Sequence, residues 1–229
     1  MRKPTRKELD NWFYYYKWWL VLGLVVLGIF LSILWNALGI GQAKTDHYIA
    51  YIGSKPLPKQ CVTALENALT QLAPDLTGDG KVKVELRQYI TEVGSGTSED
   101  IMYGYAAEVR LLADITDGES YIFLVEDPAQ FQLDFQILAE ADGSMPEEDD
   151  FLVEDKVYRW GNCPVLTGLA LGDYAEQVLQ ETVTGSCQTL LANLYVGHRY
   201  YYDETTASHL PENKAFWQIL TQGAKYENN

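Results

Sequence analysis

The sequence has few of the residues that most often carry covalent or metal chemistry, with three cysteines and three histidines in 229 residues. It contains no Cys-x-x-Cys pair, no Cys/His spacing typical of zinc sites, and no Gly-x-Ser-x-Gly or Ser-x-x-Lys nucleophile motif. Positive charge is also scarce. Seventeen lysines and arginines stand against 32 acids, which argues against nucleic acid as a partner. We therefore expect no metal, no cofactor and no nucleic-acid partner.

One long apolar run dominates the start of the chain. Residues 18–40 contain no charged side chain, and a helix of that length rises about 34 Å, enough to cross a hydrocarbon core of about 30 Å. Aromatic residues crowd its start, and five lysines and arginines precede it. These features predict a single-pass protein of the cytoplasmic membrane, with its N-terminus inside and the remainder outside. A signal peptide cleaved after Ala43 is the alternative.

This topology divides the chain into four segments. We predict a cytoplasmic basic and aromatic N-region (1–17), a transmembrane helix (18–40), a juxtamembrane linker (41–46) and an extracytoplasmic domain (47–229). In the last segment, strand-like runs over 48–52, 82–90 and 120–125 alternate with helical periods. The alternation predicts a three-layer α/β domain with a mostly parallel sheet. Further on, the pattern predicts a helix over 174–183, a strand over 190–196 and a last helix over 215–224.

The order of elements over residues 46–138 resembles the opening βαβαβ half-lobe of type 2 periplasmic, or extracellular, solute-binding proteins. Residues 114–130 carry the most similar passage, in which a small-residue turn leads into an apolar strand and then a new helix. The resemblance implies a periplasmic-binding-protein-like lobe and a role in binding a solute. It carries no ligand residues over to this chain.

The cysteines leave two alternatives open. Cys163 and Cys187 are candidate disulfide partners, and the loop between them is long enough for a bond to stabilise the domain by about 3 kcal/mol. Cys61 lies on an apolar helical face, where we expect it to pack as a small hydrophobic residue. Because the count is odd, the absence of any disulfide is the alternative.

Two acidic patterns admit cation binding but fit simpler roles. Residues 75–80 match the start of a calcium loop, yet the position that needs a bidentate glutamate is Leu86, so a tight turn fits better. Residues 140–155 hold eight acids and no base, which favours a solvated loop. Calcium or a cationic partner is the alternative there.

An aromatic cluster with one arginine is the strongest candidate binding surface. Arginine and aromatic residues are favoured at contacts because they bury much area at modest entropic cost. In the alternative, the tyrosines pack inward and the arginine pairs with an acid such as Asp203. The cluster comprises Arg199, Tyr200, Tyr201 and Tyr202, with Trp160 as a further member.

These observations predict a membrane-anchored extracytoplasmic binding or accessory protein, linked to transport. Its partner would be the bilayer together with a small molecule, a cell-surface polymer or a membrane protein complex. Two other functions stay open: a hydrolase that uses acids or Cys163 with a histidine, and a structural subunit of a membrane complex. A deep pocket at the strand ends would indicate a ligand-binding protein, and a nucleophile beside a histidine would indicate an enzyme.

Overall fold

The computed structural model describes residues 6–37, 44–91, 97–147, 150–178, 181–201 and 209–226. The chain divides into two units, residues 1–42 and 43–229. The first unit contains one helix, α1 (Arg6–Ala37). This helix begins twelve positions before the predicted apolar span, so its backbone includes most of the basic and aromatic N-region.

The prediction of a membrane-spanning helix over residues 18–40 is contradicted. Within the described part of the chain, no helix has both the length and the hydrophobicity that crossing a membrane requires. Residues 38–43, where the predicted span ends and the linker begins, lie outside the described residues. The predicted location as a single-pass membrane protein depends on this helix and is therefore not supported.

The second unit contains a five-stranded sheet, a two-stranded hairpin, six α-helices and one short 3₁₀ helix (Trp160–Asn162) among its described residues. The strands are β1 (His47–Gly53), β2 (Val84–Ile90), β3 (Ser120–Val125), β4 (Val157–Arg159), β5 (Asp173–Val178), β6 (Glu181–Ser186) and β7 (Tyr195–His198). The helices are α2 (Lys59–Thr70), α3 (Ser98–Asp117), α4 (Pro128–Phe135), α5 (Pro164–Thr167), α6 (Cys187–Leu191) and α7 (Leu210–Leu220). The large sheet has the order β2-β1-β3-β7-β4, and β5 pairs with β6.

The first half of this unit is a parallel βαβαβ arrangement, so the α/β class is confirmed. Strand β1 lies between β2 and β3 and pairs in parallel with both, with Ile49 opposite Leu86 on one side and Ile122 on the other. Since β2 and β3 flank β1 on opposite sides, right-handed crossovers place α2 and α3 on opposite faces of the sheet.

The prediction of a mostly parallel sheet is wrong, because β7 runs antiparallel to both β3 and β4. The physical reason lies in the element before β7. Helix α6 begins at Cys187, which is bonded to Cys61 in the first turn of α2. That turn follows the carboxyl end of β1, so β7 starts at the carboxyl edge of the sheet. Tyr195 accordingly pairs with Val125 at the end of β3, and the strand can only run back toward the amino edge.

Apolar clusters cover both faces of the large sheet. Alternate residues of β1 divide between them, with Ile49 and Tyr51 on one face and Ala50 and Ile52 on the other. The first cluster includes buried side chains from α2, α5, α6 and α7. The second is smaller, and α3 contributes only Leu111 to its buried members, which leaves much of this long helix exposed.

The helix predicted over residues 174–183 is a β-hairpin instead. Strands β5 and β6 pair in antiparallel register, with Tyr174 opposite Gly185 and Glu176 opposite Val183. The segment's valines and threonines are β-branched and favour strands, and an apolar periodicity over ten residues did not outweigh that preference.

The predicted disulfide between Cys163 and Cys187 is also wrong. Cys187 is bonded to Cys61, 126 residues earlier in the chain, and Cys163 is a buried free thiol. Cys61 does face the core, as its helical pattern predicted, but Cys187 is buried in the same cluster and meets it there. Disulfides persist in oxidising environments.

We predict that this bond contributes a large share of the stability of the unit. A closed loop of this length limits the unfolded chain by an entropy equivalent to about 5 kcal/mol. Dithiothreitol should therefore lower the free energy of unfolding, measured by urea denaturation, by up to that amount. The variant Cys163→Ala should keep this response, and the double variant Cys61→Ala/Cys187→Ala should lose it. A wild-type protein insensitive to the reductant would contradict the assignment.

Candidate functional site

A cavity of about 700 Å³ opens at the carboxyl edge of the parallel strands, and we call it the carboxyl-edge cavity. It lies beside the carboxyl ends of β1 and β3. The direction of strand addition reverses here, because β2 lies on one side of β1 and β3 on the other. Ligand sites of open α/β sheets commonly occupy this position. The described residues that line it are Ile52, Gly53, Ser54, Thr91, Tyr105, Glu108, Val109, Leu112, Val125, Glu126, Asp127, Gln130, Phe131, Asp134 and Phe135.

Glu126 fastens the ends of β1 and β3 together at the floor of the cavity. Its Oε1 accepts a hydrogen bond from the Tyr51 hydroxyl at 2.8 Å, and its Oε2 accepts from the Ser54 amide at 2.9 Å and hydroxyl at 2.7 Å. Burial raises the pKa of the Glu126 carboxyl, but these hydrogen bonds outweigh that effect, so the pKa lies below its usual value. The carboxylate is therefore ionised at neutral pH.

Gly53 allows this close approach. A Cβ atom at this position would lie 2.3 Å from the Tyr51 hydroxyl oxygen and 2.7 Å from Glu126 Oε1. The last residue of β1 must therefore lack a side chain for the Tyr51–Glu126 hydrogen bond to form beside it.

Helices α3 and α4 form the walls of the cavity. Helix α3 presents Tyr105, Val109 and Leu112 at helical spacing, and these side chains are 52–69% exposed because nothing described packs over them. Helical spacing of apolar residues is more typical of a face that packs into the core. Helix α4 contributes Phe131 and Phe135, whose ring centroids lie 5.2 Å apart.

Four carboxylates surround these apolar walls. Glu126 and Asp127 follow β3, Glu108 projects from α3, and Asp134 lies on α4. Asp127 caps α4 by accepting from the Gln130 amide at 3.0 Å, and Asp134 accepts from the Gln130 side-chain amide at 2.8 Å. The arrangement combines an apolar interior with negative charge at its margin.

The predicted aromatic cluster lies at the opposite end of the sheet. Arg199 follows β7, and its backbone amide donates to the Tyr121 carbonyl at the start of β3, 3.0 Å away. The Arg199 side chain is only 8% exposed, and its Nη2 donates to the Ile115 carbonyl in the last turn of α3. Its Cζ lies 4.6 Å from the ring centroid of Tyr201. Arg199 therefore supports the end of a helix and offers no open binding surface.

The other predicted members also pack inward or lie elsewhere. Trp160 is fully buried near the carboxyl edge, with its indole N–H donating to Gln188, so the structure does not bring it to Arg199. The hydroxyl of Tyr200 donates to the Gln136 carbonyl, and Tyr201 stacks on Tyr121 with ring centroids 6.1 Å apart. Tyr202 and Asp203 lie outside the described residues.

The two acidic patterns are used within the chain itself. Both oxygens of the Asp75 carboxylate accept backbone amides, from Gly78 and Gly80, which builds the tight turn. In the acidic stretch, Glu140 and Asp150 form ion pairs with Lys156, a buried lysine just beyond the run. Over the described residues, no group of three or more histidine, cysteine or acidic side chains is placed to hold a metal ion.

Cys163 is unsuited to act as a nucleophile. Its side chain is fully buried, and burial raises the pKa of its thiol to about 12. The reactive form of cysteine is the thiolate, which is scarce at neutral pH for such a group. The described residues that line the cavity include neither a cysteine nor a histidine.

No sequence pattern predicted the cavity, although one signal for it was present. In a parallel arrangement the strand ends meet at one edge, and Gly53-Ser54 and Glu126-Asp127 directly follow two predicted strands. Nothing in the sequence pattern predicted that the apolar side chains of α3 are exposed. In comparisons with known proteins, no family model, no curated protein and no solved structure matches the chain. The resemblance to solute-binding proteins stays a prediction.

We predict that His198, beside the arginine cluster, makes the protein less stable in mild acid. Burial lowers its pKa to about 4, whereas an unfolded histidine titrates near 6.5. As the pH falls from about 6.5 to 4, the unfolded chain binds a proton that the folded protein does not. The free energy of unfolding should then drop by about 1.4 kcal/mol per pH unit from this group alone.

Urea denaturation across this pH range tests the assignment. The variant His198→Gln should flatten the dependence. The variant His209→Asn is the matched control, because His209 is exposed and its positive φ suits asparagine. An unchanged slope in His198→Gln would show that another group titrates.

Proposed function

We propose that the α/β unit binds a small organic molecule in the carboxyl-edge cavity. The observation that carries this proposal is a cavity of about 700 Å³ at the winding reversal of the sheet, with apolar walls and a few polar groups at its margin. Its volume falls in the range of about 300–1,000 Å³ that is usual for small-molecule sites. The resemblance of residues 46–138 to a solute-binding lobe supports the same function.

The hydrogen bonds already made by the polar residues of the cavity favour binding over catalysis. Glu126 and Ser54 are hydrogen-bonded to each other, and Glu126 also holds Tyr51. These groups stabilise the floor of the cavity, and no histidine lies beside the serine among the described lining residues to activate it. The proposal does not include a membrane anchor, since that prediction is contradicted.

We predict that filling the cavity from α3 abolishes binding. Leu112 lines the cavity and is 54% exposed, so Leu112→Trp should occupy the space without disturbing the core. Saturation-transfer NMR with a mixed library of neutral, cationic and anionic aromatic fragments measures binding to the full-length protein. Fragments that bind the wild type should lose affinity by about tenfold or more in this variant.

Leu133→Trp is the matched control. Leu133 lies on α4, is 55% exposed and does not line the cavity. This variant should bind fragments as the wild type does. Equal losses in both variants, or a wild-type protein that binds no fragment, would contradict the proposed function.

A protein partner is a second candidate function, favoured by the first turns of α3. Ile101, Met102 and Tyr103 are 64–67% exposed, and exposed apolar groups of this kind often mark protein interfaces. A photo-crosslinking amino acid at position 102 should then trap one defined protein in intact cells. The same residue at position 190, which is exposed on α6, should not. The absence of any adduct specific to position 102 would contradict this candidate.

A further inference from the structure

We propose that the ligand of the carboxyl-edge cavity is an organic cation, in which an ammonium or guanidinium group is joined to an apolar or aromatic body. This inference rests on the proposed function, because it takes the cavity as the binding site. It adds the charge and the chemical class of the ligand.

The sign of the charge follows from the cavity lining. Its described residues contribute carboxylates only, from Glu108, Glu126, Asp127 and Asp134, and include no lysine, arginine or histidine. Lys55 lies near enough for its charge to lower the pKa of the Glu126 carboxyl. It is exposed to solvent, however, and does not line the cavity. An anionic ligand would therefore meet like charges on several sides, whereas a cation relieves their repulsion.

Three of the carboxylates have hydrogen-bonding capacity left for a ligand. Glu108 makes no hydrogen bond or ion pair with any described residue, and Asp134 uses only its Oδ1, which accepts from Gln130. Asp127 also uses only its Oδ1, but that carboxylate already caps α4. Glu126 differs, since both of its oxygens already accept hydrogen bonds. The cationic group should accordingly be held by the two walls, through Glu108 of α3 and Asp134 of α4.

The walls explain why the cation should be organic. Val109 and Leu112 of α3 and Phe131 and Phe135 of α4 offer apolar contact to a hydrocarbon or aromatic body. Tyr105 adds an exposed aromatic ring that can attract a cation through its face. A hydrated metal ion would gain nothing from these groups, and the described residues place no three ligating side chains together for one.

Three probes of similar size and different charge test the inference. They are 2-phenylethylamine, which is cationic at pH 7, 2-phenylethanol, which is neutral, and phenylacetate, which is anionic. Their affinities for the full-length protein are measured by saturation-transfer NMR at low salt. We expect the amine to bind about tenfold more tightly than the alcohol and the anion to bind least, and added salt should reduce the preference for the amine.

A pair of double variants separates the site from the overall charge of the protein, which is −15. Glu108→Gln/Asp134→Asn should remove most of the preference for the amine and leave the affinity for the alcohol unchanged. Asp173→Asn/Glu176→Gln removes the same charge from the exposed strand β5 and should leave the preference intact. An equal effect of both variants would overturn the inference.

The remaining outcomes distinguish the two proposals. If the alcohol or the anion binds as well as the amine and Leu112→Trp still abolishes binding, the cavity is the site but the ligand is not a cation. If no probe binds while fragments of the mixed library still do, this inference fails and the proposed function stands. If Leu112→Trp changes nothing, or no fragment binds at all, both fail together.

Discussion

The disulfide between Cys61 and Cys187 is the constraint on which the C-terminal half of the α/β unit depends. It ties the first turn of α2 to the start of α6, across 126 residues of chain. Only three residues separate α6 from β7, so this tether fixes the edge of the sheet at which β7 begins. Because β7 begins at that edge, it runs antiparallel to β3, and β4 pairs with its other side.

The cavity has a different origin, in the winding of the first half. The chain passes from β1 to β2 on one side and then to β3 on the other, which places α2 on one face of the sheet and α3 and α4 on the other face. At the carboxyl edge, α3 and α4 stand apart over the ends of β1 and β3, with the Glu126 hydrogen bonds holding the floor between them. The same geometry brings carboxylates from a strand end and two helices to one margin. The binding proposal and the charge of the ligand both rest on this convergence.

Local patterns predicted the elements of the first half well. The runs at 48–52, 82–90 and 120–125 are β1, β2 and β3, and the helices between them occur as expected. The prediction failed in the second half, where residues 174–183 form a hairpin and β7 is antiparallel. It also failed for the candidate site, since Arg199 and Trp160 are buried at different ends of the sheet. The membrane-spanning helix predicted from the apolar run is contradicted by the described part of α1.

The sequence by itself determined the α/β class and the alternation of strands and helices in residues 47–135, because hydrophobic periodicity is a local property of the chain. The tertiary structure alone decided which cysteine Cys187 meets, which way β7 runs and which apolar faces stay exposed. These features depend on contacts between residues far apart in the chain. Tyr105, Val109 and Leu112 show the difference, since they follow a helical spacing that is typical of a buried face and only the position of α3 makes them the wall of a cavity.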